Sequence, residues 1–412
     1  MTKERLLAKT LRAEITAHYC NPNALRGQPR PTRVDSALDD QTCSRARASI
    51  TSWSNYAPTP LHPLPALAHE IGIGQLLYKD EATRFGLGSF KALGGAYGVL
   101  HCVAQEISVR SSTPTDIDAL MTGQLSEAAA EITVVTATDG NHGRSVAWGA
   151  GNVGCKCVIY MHAEVSPGRQ SAVEAFGAEV VRVPGDYGES ARQAAQVAAE
   201  NDWLLVSDTA WSGYTEIPRA IMAGYTVMSS EAMDQLPPAT TPTHVFVQGG
   251  CGGLAGAVCT DLWHRYESRR PRFIVVEPVP ADCLFQSAVA GAMVNISVTR
   301  ESVMGGLSCG EVSLLGWDIL EAGADHFLTI EDDAVGPLMK QLAQGTGDDP
   351  RIVAGEAAVA GLAGCIAACA DPDLCQTLDL NEHSTTLVFG TEGATDPAVY
   401  RQLVGTAADD LL

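Results

Sequence analysis

Residues 245–258 read VFVQGGCGGLAGAV, an apolar, β-branched segment that gives way to a cluster of glycines and then to a segment rich in small residues. This order predicts a strand, a tight loop and the first turns of a helix. Glycines let backbone N–H groups approach an anion, and the start of the following helix adds a partial positive charge. The run therefore predicts a phosphate-binding loop at 249–253, with a plain strand-to-helix turn as the alternative.

Two common phosphate motifs fit this loop poorly. The run has no Gly-Lys-Ser or Gly-Lys-Thr, which a nucleotide P-loop requires. It matches the Gly-x-Gly-x-x-Gly pattern of dinucleotide sites at Gly250 and Gly252, while Ala255 takes the third place, where alanine is tolerated. A dinucleotide site therefore stays open as a weak alternative.

Strand-like and helix-like segments alternate along most of the chain. Apolar or β-branched runs predict strands at LLYKD (76–80), ITVVTAT (132–138), CKCVIYM (155–161), AEVVRV (178–183), WLLVS (203–207), HVFVQ (244–248), RFIVVE (272–277) and TTLVFG (385–390). Ala-rich segments predict helices at NHGRSVAWGAG (141–151), SPGRQSAVEAFG (166–177), ESARQAAQVAAEN (189–201) and EIPRAIMAGYTVMSSEAM (216–233). This alternation predicts the α/β class, with parallel sheets covered by helices on both faces.

Composition excludes several classes of function. The chain has 412 residues, 46% of them hydrophobic and 18% charged, which suits two domains or one large one. Its net charge of −21 argues against nucleic acid and anionic membranes as partners. The N-terminus lacks the apolar stretch of a signal peptide, and the longest apolar run, 357–370, is too short to span a bilayer. We therefore expect a soluble, cytoplasmic protein.

The cysteines do not predict a metal site. The chain has 12 of them, scattered, and no Cys-x-x-Cys pair. Cys365 and Cys369 would share a helix face, but no histidine lies beside them. We therefore expect reduced cysteines and no bound metal.

Two further glycine-containing segments carry polar residues next to helices. In EATRFGLGSFKALGG, residues 81–95, Lys91 stands among small residues where a loop gives way to a helix. In TATDGNHGRSVAWGA, residues 136–150, a strand ends in Asp-Gly-Asn-His-Gly. A lysine, an Asn loop and a phosphate-binding loop together suggest pyridoxal phosphate, whose aldehyde condenses with a lysine amine and whose ring stabilises a carbanion. On this interpretation the small residues near Lys91 make room for a planar ring.

The same segments resemble those of the tryptophan-synthase-β-like group of pyridoxal-phosphate enzymes, called fold type II, and within it the diaminopropionate ammonia-lyases. SFKALGG is similar to the family's lysine segment, DGNHG to its Asn loop and GGCGG to its phosphate loop. The resemblance implies a two-domain, three-layer α/β/α fold of parallel sheets. It places residues 1–92 and 214–412 in a large domain and residues 93–213 in a small one, in a protein that is usually a homodimer.

The resemblance also implies a role for each cofactor-binding residue. Lys91 would hold the cofactor covalently, and Asn141 would hydrogen-bond the 3-oxygen of its ring. The phosphate would bind to Gly249, Gly250, Cys251, Gly252, Gly253 and Leu254. Thr391, in FGTEGATDP, would be the partner of the pyridine nitrogen. Glu356, in VAGEAAVAG, would lie near the cofactor, although Ala354 stands where the family has a serine.

Two acidic residues separate this chain from ordinary serine and threonine dehydratases. Asp139 stands where those enzymes usually carry a small residue, and Asp208 lies in LVSDTAWSGYTEIP, which also resembles the lyase. A carboxylate can bind the β-ammonium of 2,3-diaminopropionate, and it can also remove an α-proton. The resemblance therefore implies that Lys91 serves the L-isomer and Asp139 the D-isomer. His142 is interpreted as a packed or capping histidine.

Three functional hypotheses follow from these residues. The first is the α,β-elimination of 2,3-diaminopropionate to pyruvate and two molecules of ammonia. The alternative enzyme is a serine or threonine dehydratase, or a β-replacement enzyme acting on another β-substituted amino acid. In either enzyme the partner is a small amino-acid substrate. The third hypothesis is a catalytically silent, ligand-binding relative, which the presence of Lys91 disfavours.

Overall fold

The computed structural model describes residues 2–138, 140–185 and 187–411. Within these residues the strands, in chain order, are β1 (Ile15–Cys20), β2 (Leu61–Pro63), β3 (Gln75–Asp80), β4 (Thr133–Ala137), β5 (Lys156–His162), β6 (Glu179–Val183), β7 (Leu204–Leu205), β8 (His244–Gln248), β9 (Arg272–Pro278), β10 (His326–Ile330) and β11 (Thr385–Gly390).

The helices that connect and cover these strands are α1 (Lys3–Leu11), α2 (Thr32–Ala37), α3 (Asp40–Ser52), α4 (Pro65–Ile71), α5 (Lys91–Ser111), α6 (Ile117–Met121), α7 (Ser126–Ala130), α8 (Asn141–Val153), α9 (Pro167–Glu174), α10 (Tyr187–Asn201), α11 (Glu216–Asp234), α12 (Gly253–Tyr266), α13 (Cys283–Ala290), α14 (Leu314–Gly323), α15 (Val335–Gln344), α16 (Ala360–Ala370), α17 (Pro372–Leu378) and α18 (Pro397–Val404). Most strands are followed by a helix, as an α/β fold requires.

The larger sheet of the described residues has the strand order β1-β10-β9-β8-β11-β3-β2. Its inner strands are parallel, and Val388 of β11 lies opposite Phe246 of β8 and Tyr78 of β3. The edge strands β1 and β2 run antiparallel to their neighbours. The carboxyl ends of β8 and β11 therefore lie at the same edge of the sheet, where ligands of α/β proteins usually bind.

The smaller sheet has the order β6-β5-β4-β7, and each pair of its strands is parallel. Val134 of β4 lies opposite Cys157 of β5 and Leu204 of β7. The predicted Asn loop follows β4 and Asp208 follows β7. Because parallel strands place their carboxyl ends together, both segments leave the sheet at one edge.

Each sheet belongs to one of two compact units. The first unit comprises Met1–Ala37, Pro58–Ser89 and Met228–Leu412, and the second comprises Leu38–Ala57 and Phe90–Val227. The sequence places the boundaries differently, with a small domain at 93–213. Helix α11 runs without interruption from Glu216 to Asp234, so this unit boundary falls inside a helix and no turn residue marks it in the sequence.

In each unit the core consists of apolar strand residues packed against helices, as the sequence predicts. In the first unit, Phe246 and Val276 of the larger sheet are buried with Leu362 and Ile366 of α16. In the second unit, Val135 and Val158 of the smaller sheet are buried with alanines of α10. Small residues on the helices allow close packing on the sheets, which explains the Ala-rich helical segments.

The predicted strands all occur, but the sequence interpretation missed β1, β2 and β10. Strand β1 alternates half-buried and exposed residues along a sheet edge, and polar side chains interrupt its apolar pattern. Strand β2 has three residues and ends in Pro63. The expectation of purely parallel sheets is therefore wrong at both edges of the larger sheet.

Two helices of the first unit show how the sequence sets their starts. Helices α17 and α18 each begin with a proline that follows an aspartate. The Asp371 carboxylate accepts from the backbone N–H groups of Asp373 and Leu374, and Asp396 caps α18 in the same way. The aspartate satisfies N–H groups that the first turn leaves open, and the proline has no N–H to satisfy.

No single helix in the described ranges is both long enough and apolar enough to cross a membrane, and one bent pair, Ala357–Ala370 with Pro372–Leu378, passes by length and composition only. The same residues contain no group of three or more His, Cys, Asp or Glu side chains that could hold a metal ion.

Candidate functional site

Lys91, the predicted cofactor lysine, is the first residue of α5 in the second unit. Its side chain is 20% exposed, and Nζ lies 5.5 Å from the centre of the Phe90 ring and 5.6 Å from that of the Tyr225 ring. The backbone carbonyl of Lys91 accepts a hydrogen bond of 2.7 Å from the Ser145 hydroxyl. Main-chain contacts therefore fix the lysine while its amine lies beside two aromatic rings.

The glycines that follow Lys91 are required by helix packing. A Cβ atom on Gly94 would lie 2.3 Å from Tyr225 Cε1 and 2.7 Å from the carbonyl oxygen of Ile221, both in α11. A Cβ atom on Gly95 would lie 2.0 Å from the Ser145 hydroxyl oxygen in α8. At Gly94 and Gly95 the interpretation that small residues make room for a planar ring is therefore wrong, because these two let neighbouring helices approach.

Asp208, a predicted catalytic residue, forms an ion pair with the ammonium of Lys91. Its side chain is 12% exposed. Burial would raise the pKa of this carboxyl, but the Lys91 ammonium and then His142 hold the pKa well below its usual range. Asp208 is therefore ionised at neutral pH, and the structure brings two of the three predicted catalytic residues together.

The Tyr214 hydroxyl forms hydrogen bonds with the main chain just before Asp208. The Tyr214 hydroxyl donates to the carbonyl of Leu205 at 2.7 Å and accepts from the backbone N–H of Ser207 at 3.1 Å. Trp211 stacks on the Tyr214 ring with 4.3 Å between the ring centres. These contacts hold both sides of the strand end, so the position of Asp208 is set by the main chain rather than by its ion pair alone.

His142, in the Asn loop, lies beside this ion pair. Its Nε2 is 2.8 Å from the carbonyl oxygen of Val206, and its Nδ1 is 3.8 Å from Asp208 Oδ2. A carbonyl only accepts, so Nε2 carries a hydrogen. Burial lowers the pKa of His142; Asp208 acts to raise the pKa and Lys91 to lower it. The imidazole is therefore neutral, with Nδ1 unprotonated, while Lys91 is an ammonium.

The rest of the Asn loop is shaped by Thr138. Its hydroxyl accepts from the backbone N–H groups of Gly140 and Gly143, each at 3.0 Å. Asn141, predicted to bind the ring oxygen, is the first residue of α8. Asp139, predicted to act on the D-isomer, lies outside the described residues. The loop thus presents Asn141 at a helix start, next to a turn that the Thr138 hydroxyl closes.

The predicted phosphate loop lies between β8 and α12 in the first unit. Gly250 and Gly252 have φ angles of +57° and +96°, which favour glycine. The backbone N–H of Gly252 donates to the carbonyl of Gly249 at 3.2 Å and closes the turn. Gly253 and Leu254 open the 14-residue helix α12, and the first N–H groups of a helix have no partner within it. This arrangement is suited to an anion.

Glu277 of β9 packs against the phosphate loop at Gly249. A Cβ atom on Gly249 would lie 2.5 Å from Glu277 Cγ, so this position also requires glycine. The Glu277 carboxylate accepts from the backbone N–H groups of Leu284 and Phe285 at 3.0 and 2.7 Å. Burial raises the pKa of Glu277 to about 8, against these two hydrogen bonds, which lower the pKa. The carbonyl of Cys251 accepts from Ser313 N–H at 2.9 Å and fixes the other side of the loop.

Thr391, the predicted partner of a ring nitrogen, follows β11 and is 4% exposed. Gln248, the last residue of β8, donates from Nε2 to the Thr391 hydroxyl oxygen at 3.3 Å. The same nitrogen lies 2.6 Å from the carbonyl oxygen of Phe389 and 3.1 Å from that of Ala357, which fixes the orientation of the amide. The Thr391 oxygen accepts this bond and so keeps its own hydrogen for donation.

Glu356 is buried, 2% exposed, in a segment that is tied to the residues after β11. The backbone N–H of Gly355 donates to the carbonyl of Glu392, and the Glu392 carboxylate accepts from Ala357 N–H at 3.0 Å. Glu356 therefore lies in the main-chain segment that contacts the Thr391 region, within the first unit.

A buried group of charges anchors the segment that leads to Lys91. Arg84 donates to the carboxylates of Glu81 and Glu231 over 2.7–2.8 Å, and Lys79 donates to Glu231 at 2.8 Å. These four side chains are at most 5% exposed. Two cations balance two carboxylates, so the cluster is neutral and every charge has an opposite neighbour.

These features fit pyridoxal phosphate. A glycine loop at a helix start can receive the phosphate, a lysine amine beside aromatic rings can receive the aldehyde, and the Thr391 hydroxyl can donate to a ring nitrogen. Residues 249–254, Glu356 and Thr391 belong to the first unit, and Lys91, Asn141 and Asp208 belong to the second.

Sequence reasoning missed three residues that shape these sites: Gln248, Glu277 and Tyr214. Gln248 and Glu277 are polar residues at or near the ends of otherwise apolar strands, just before glycine-rich or helical segments. A polar side chain in such a place is a usable signal, because it must find a partner when it is buried. Tyr214 gives no comparable signal.

Comparison with known proteins agrees with this chemistry. Residues 53–388 match the family described as "Pyridoxal-phosphate dependent enzyme". The diaminopropionate ammonia-lyase of Escherichia coli is 40% identical over 364 residues, which are 87% of this chain and 90% of the relative.

Solved structures extend the similarity to the fold. A crystal structure of the E. coli diaminopropionate ammonia lyase in complex with D-serine superposes with a TM-score of 0.86 at 37% identity, covering 95% of this chain and 97% of the other. A second structure of that protein, with an aminoacrylate-PLP azomethine reaction intermediate, gives 0.83 at 36% identity over 94% and 96%. The predicted fold type II class is therefore confirmed.

Proposed function

Because the chain belongs to the diaminopropionate ammonia-lyase family of pyridoxal-phosphate-dependent enzymes, we propose that it converts 2,3-diaminopropionate and water to pyruvate and two molecules of ammonia by α,β-elimination. The observation that carries the proposal is the ion pair of Lys91 with Asp208 at the start of α5. It joins an amine that can hold a cofactor to a carboxylate that can hold an ammonium group.

When bound, pyridoxal phosphate supplies an aldehyde for covalent attachment and a ring that withdraws electrons from the α-carbon of the substrate. Lys91 is the residue that we propose for the attachment. Once its nitrogen is released by the substrate, the neutral amine accepts the α-proton of the L-isomer. The aromatic rings of Phe90 and Tyr225 lie 5.5 and 5.6 Å from Nζ and give this proton transfer two apolar neighbours.

Asp208 is proposed to bind the β-ammonium of the substrate. In this structure its ionised carboxylate already accepts an ammonium donor, that of Lys91. A carboxylate beside the β-nitrogen favours its protonated form, and a protonated nitrogen leaves the β-carbon directly as ammonia. This role gives a reason for an acidic residue that serine and threonine dehydratases do not need, since their substrates carry no β-ammonium.

The other predicted residues bind the cofactor in this proposal. Backbone N–H groups of the 249–254 loop and the start of α12 hold the phosphate. Asn141 donates to the ring oxygen, and Thr391 donates to the ring nitrogen, which stays unprotonated because a hydroxyl is not acidic enough to protonate it. Glu356 contributes to the cofactor's surroundings. Asp139 is proposed as the base for the D-isomer.

The first experiment is borohydride reduction of the protein with pyridoxal phosphate, followed by peptide mapping. We expect the label on the peptide that contains Lys91. Label on another lysine, such as Lys156 on β5, would overturn the proposed attachment.

The second experiment measures pyruvate release from L- and D-diaminopropionate, serine and threonine. We expect diaminopropionate to have the highest kcat/KM, and an equal or higher value for serine would favour the dehydratase alternative. Asp208→Asn should lose about 10²–10⁴-fold on diaminopropionate, as for loss of a charged group that acts in the reaction. Asp234→Asn, in the exposed pair with Arg265, is the matched control that keeps its activity.

Asp139 is tested by its selectivity between isomers. Asp139→Asn should abolish activity on D-diaminopropionate and spare much of the activity on the L-isomer. Equal loss on both isomers would refute the assigned role. The expected homodimer and the cytoplasmic location remain predictions from the sequence; sedimentation equilibrium of the purified protein checks the first.

A further inference from the structure

The environment of Asp208 contains two basic groups rather than one. Lys91 forms the ion pair, and His142 Nδ1 lies 3.8 Å from the same oxygen, Asp208 Oδ2, that Lys91 contacts. The His142 ring is buried, with its side chain 8% exposed, and Nδ1 has no hydrogen-bond partner among the described residues. A buried nitrogen without a partner beside a carboxylate is costly unless some state of the protein uses it.

The hydrogen-bonding geometry determines which ring nitrogen of His142 can take up a proton. Nε2 of His142 keeps its hydrogen, because the carbonyl of Val206 at 2.8 Å only accepts. Uptake of a proton can therefore occur only at Nδ1, and it would create an N–H next to Oδ2 of Asp208. The resulting imidazolium and carboxylate would form the same kind of ion pair that Lys91 and Asp208 form now.

We propose that Lys91 and His142 alternate as the cation beside Asp208: when Lys91 takes up the cofactor, His142 Nδ1 takes up one proton from solvent. The inference rests on the proposed function, in which Lys91 is the cofactor lysine. Free lysine presents an ammonium with three N–H groups to Asp208. When this nitrogen condenses with the cofactor's aldehyde, a C=N bond replaces the C=O bond, two of the ammonium hydrogens leave with the oxygen as water, and the third leaves as a proton to solvent. Asp208 then needs another donor, and at His142 the only bond that forms is Nδ1–H, with a proton taken from solvent.

The electrostatic surroundings agree with this exchange. Burial lowers the pKa of His142, Asp208 acts to raise it, and the Lys91 cation lowers it again. Removing the Lys91 ammonium removes one lowering cause and leaves the two raising ones, Asp208 and the hydrogen bond to Val206, so the pKa of His142 rises. Of the described groups on elements packed against α8, Lys91 of α5 and Asp208 after β7 act on the ring, and Arg169 of α9 lies beside Gly140.

The test counts protons. Pyridoxal phosphate is titrated into the apoprotein by calorimetry at neutral pH, in buffers of different ionisation enthalpy, and the slope gives the protons taken up. Wild type should take up more protons than His142→Gln, with a difference approaching about one proton. Glutamine keeps an N–H for the Val206 carbonyl but does not titrate. The proton that Lys91 releases and the protons that the cofactor exchanges are common to both proteins and cancel in the difference.

His244→Gln is the matched control. His244 is also buried, and its Nε2 lies 2.7 Å from the Leu378 carbonyl, but its Nδ1 is bonded to the Thr243 hydroxyl at 2.8 Å, and neither Lys91 nor Asp208 is among the charges that act on its pKa. This variant should take up as many protons as wild type. If His142→Gln binds the cofactor with the wild-type proton count, the alternation is wrong.

A second measurement tests the alternation of Lys91 and His142 even if His142→Gln does not fold. The pKa of His142 is measured by NMR of histidine-labelled apoprotein in wild type, Lys91→Met and Lys156→Met. We expect a rise of about one unit or more in Lys91→Met and none in Lys156→Met, whose lysine is exposed on β5. An unchanged pKa in Lys91→Met overturns the inference. Absence of the borohydride label at Lys91 would instead overturn the proposed function, and the two failures are therefore distinguishable.

Discussion

The side-chain nitrogen of Gln248 donates to the hydroxyl oxygen of Thr391 at 3.3 Å, across neighbouring strands of the larger sheet. Two backbone carbonyls hold the same nitrogen in place. Gln248 therefore sets the direction of the Thr391 hydroxyl and leaves it as a donor. A donor at the proposed ring nitrogen suits an unprotonated pyridine, and an acidic residue in its place would protonate the ring.

Thr391→Val removes the hydroxyl and keeps the shape of the side chain. We expect pyridoxal phosphate to bind about fivefold more weakly, because one hydrogen bond of about 1 kcal/mol is lost. Equilibrium titration of the apoprotein, followed by absorbance, measures this change.

The control for that variant lies on β11, the strand that precedes Thr391. Thr386 is fully buried and its hydroxyl has no hydrogen-bond partner in the described part of the chain. Thr386→Val should leave the cofactor affinity unchanged and stabilise the fold slightly, since it removes an unsatisfied polar group. If both variants lose cofactor affinity alike, the loss is caused by a disturbance of β11 and not by removal of the Thr391 hydroxyl donor.

Gly95→Ala should disturb the start of α5. Its new Cβ atom would lie 2.0 Å from the Ser145 hydroxyl oxygen, which donates to the carbonyl of Lys91. We expect the free energy of unfolding to fall by about 1–3 kcal/mol and the yield of cofactor attached to Lys91 to drop. Urea unfolding and borohydride labelling measure the two effects.

Gly168→Ala provides the comparison for this change. Gly168 is also helical, and the nearest atom to its added Cβ would be 3.9 Å away. We expect no loss of stability and unchanged labelling, because alanine favours a helix more than glycine does. A matching loss in both variants would contradict the packing explanation.

The buried charges before Lys91 should be sensitive to the loss of one member. Arg84→Met removes a cation that is bonded to two carboxylates, Glu81 and Glu231. We expect destabilisation by about 3–5 kcal/mol in urea unfolding, because both carboxylates lose a buried partner.

An exposed ion pair provides the comparison that shows how much burial adds to the loss of stability. Arg192 forms an ion pair with Glu189, but its side chain is 70% exposed. Arg192→Met should change stability by about 0.5 kcal/mol or less. Comparable effects of the two arginine substitutions would mean that the buried cluster contributes no more than surface charge.

Glu277 should make stability depend on pH. Burial raises its pKa from 4.5 to about 8 in the folded protein. The folded state therefore binds this proton more tightly than the unfolded state, so its contribution to stability is complete below about pH 4.5 and is lost as the pH rises toward 8. Glu277→Gln does not titrate. Its free energy of unfolding relative to wild type should rise across this range, by at most about 1.4 kcal/mol per pH unit.

The measurement is urea unfolding of wild type and Glu277→Gln at several pH values. The substitution exchanges one carboxylate oxygen for an amide that faces a backbone N–H, and this adds a constant difference between the two proteins. Only the change of this difference in unfolding free energy with pH tests whether the pKa of Glu277 is raised. Parallel curves between pH 5 and 8 would contradict a raised pKa for Glu277.

Sequence reasoning reached the fold and much of the chemistry because both depend on local patterns. The run that ends in Gln248 and Gly249 is a strand followed by glycines, and its order in the chain is enough to predict a loop at a sheet edge. Lys91 could be selected because it stands among small residues where a loop gives way to a helix, and Asp208 because its segment resembles that of the ammonia-lyases. Strand β1 could not be found in the same way, because half of its residues face solvent.

What the sequence could not supply is the set of contacts between distant residues. The sequence separates Gln248 from Thr391 by 143 positions and places helix α12 between Gly249 and Glu277, and the pairs form only after the sheet is assembled. His142 shows the same limit: as a residue in a loop it predicts packing, and its relation to Asp208 appears only when β4 and β7 are adjacent.

Lys91 opens α5 without the usual support of a helix start. The first turn has no acidic residue, and Phe90 at the N-cap offers no side-chain hydrogen bond. A lysine cation there is repelled by the helix macrodipole. Converting that nitrogen to a form without full charge relieves the repulsion, so cofactor loading should tighten this turn and slow the hydrogen exchange of its amides. The residue proposed to hold the cofactor would then also begin a more stable helix.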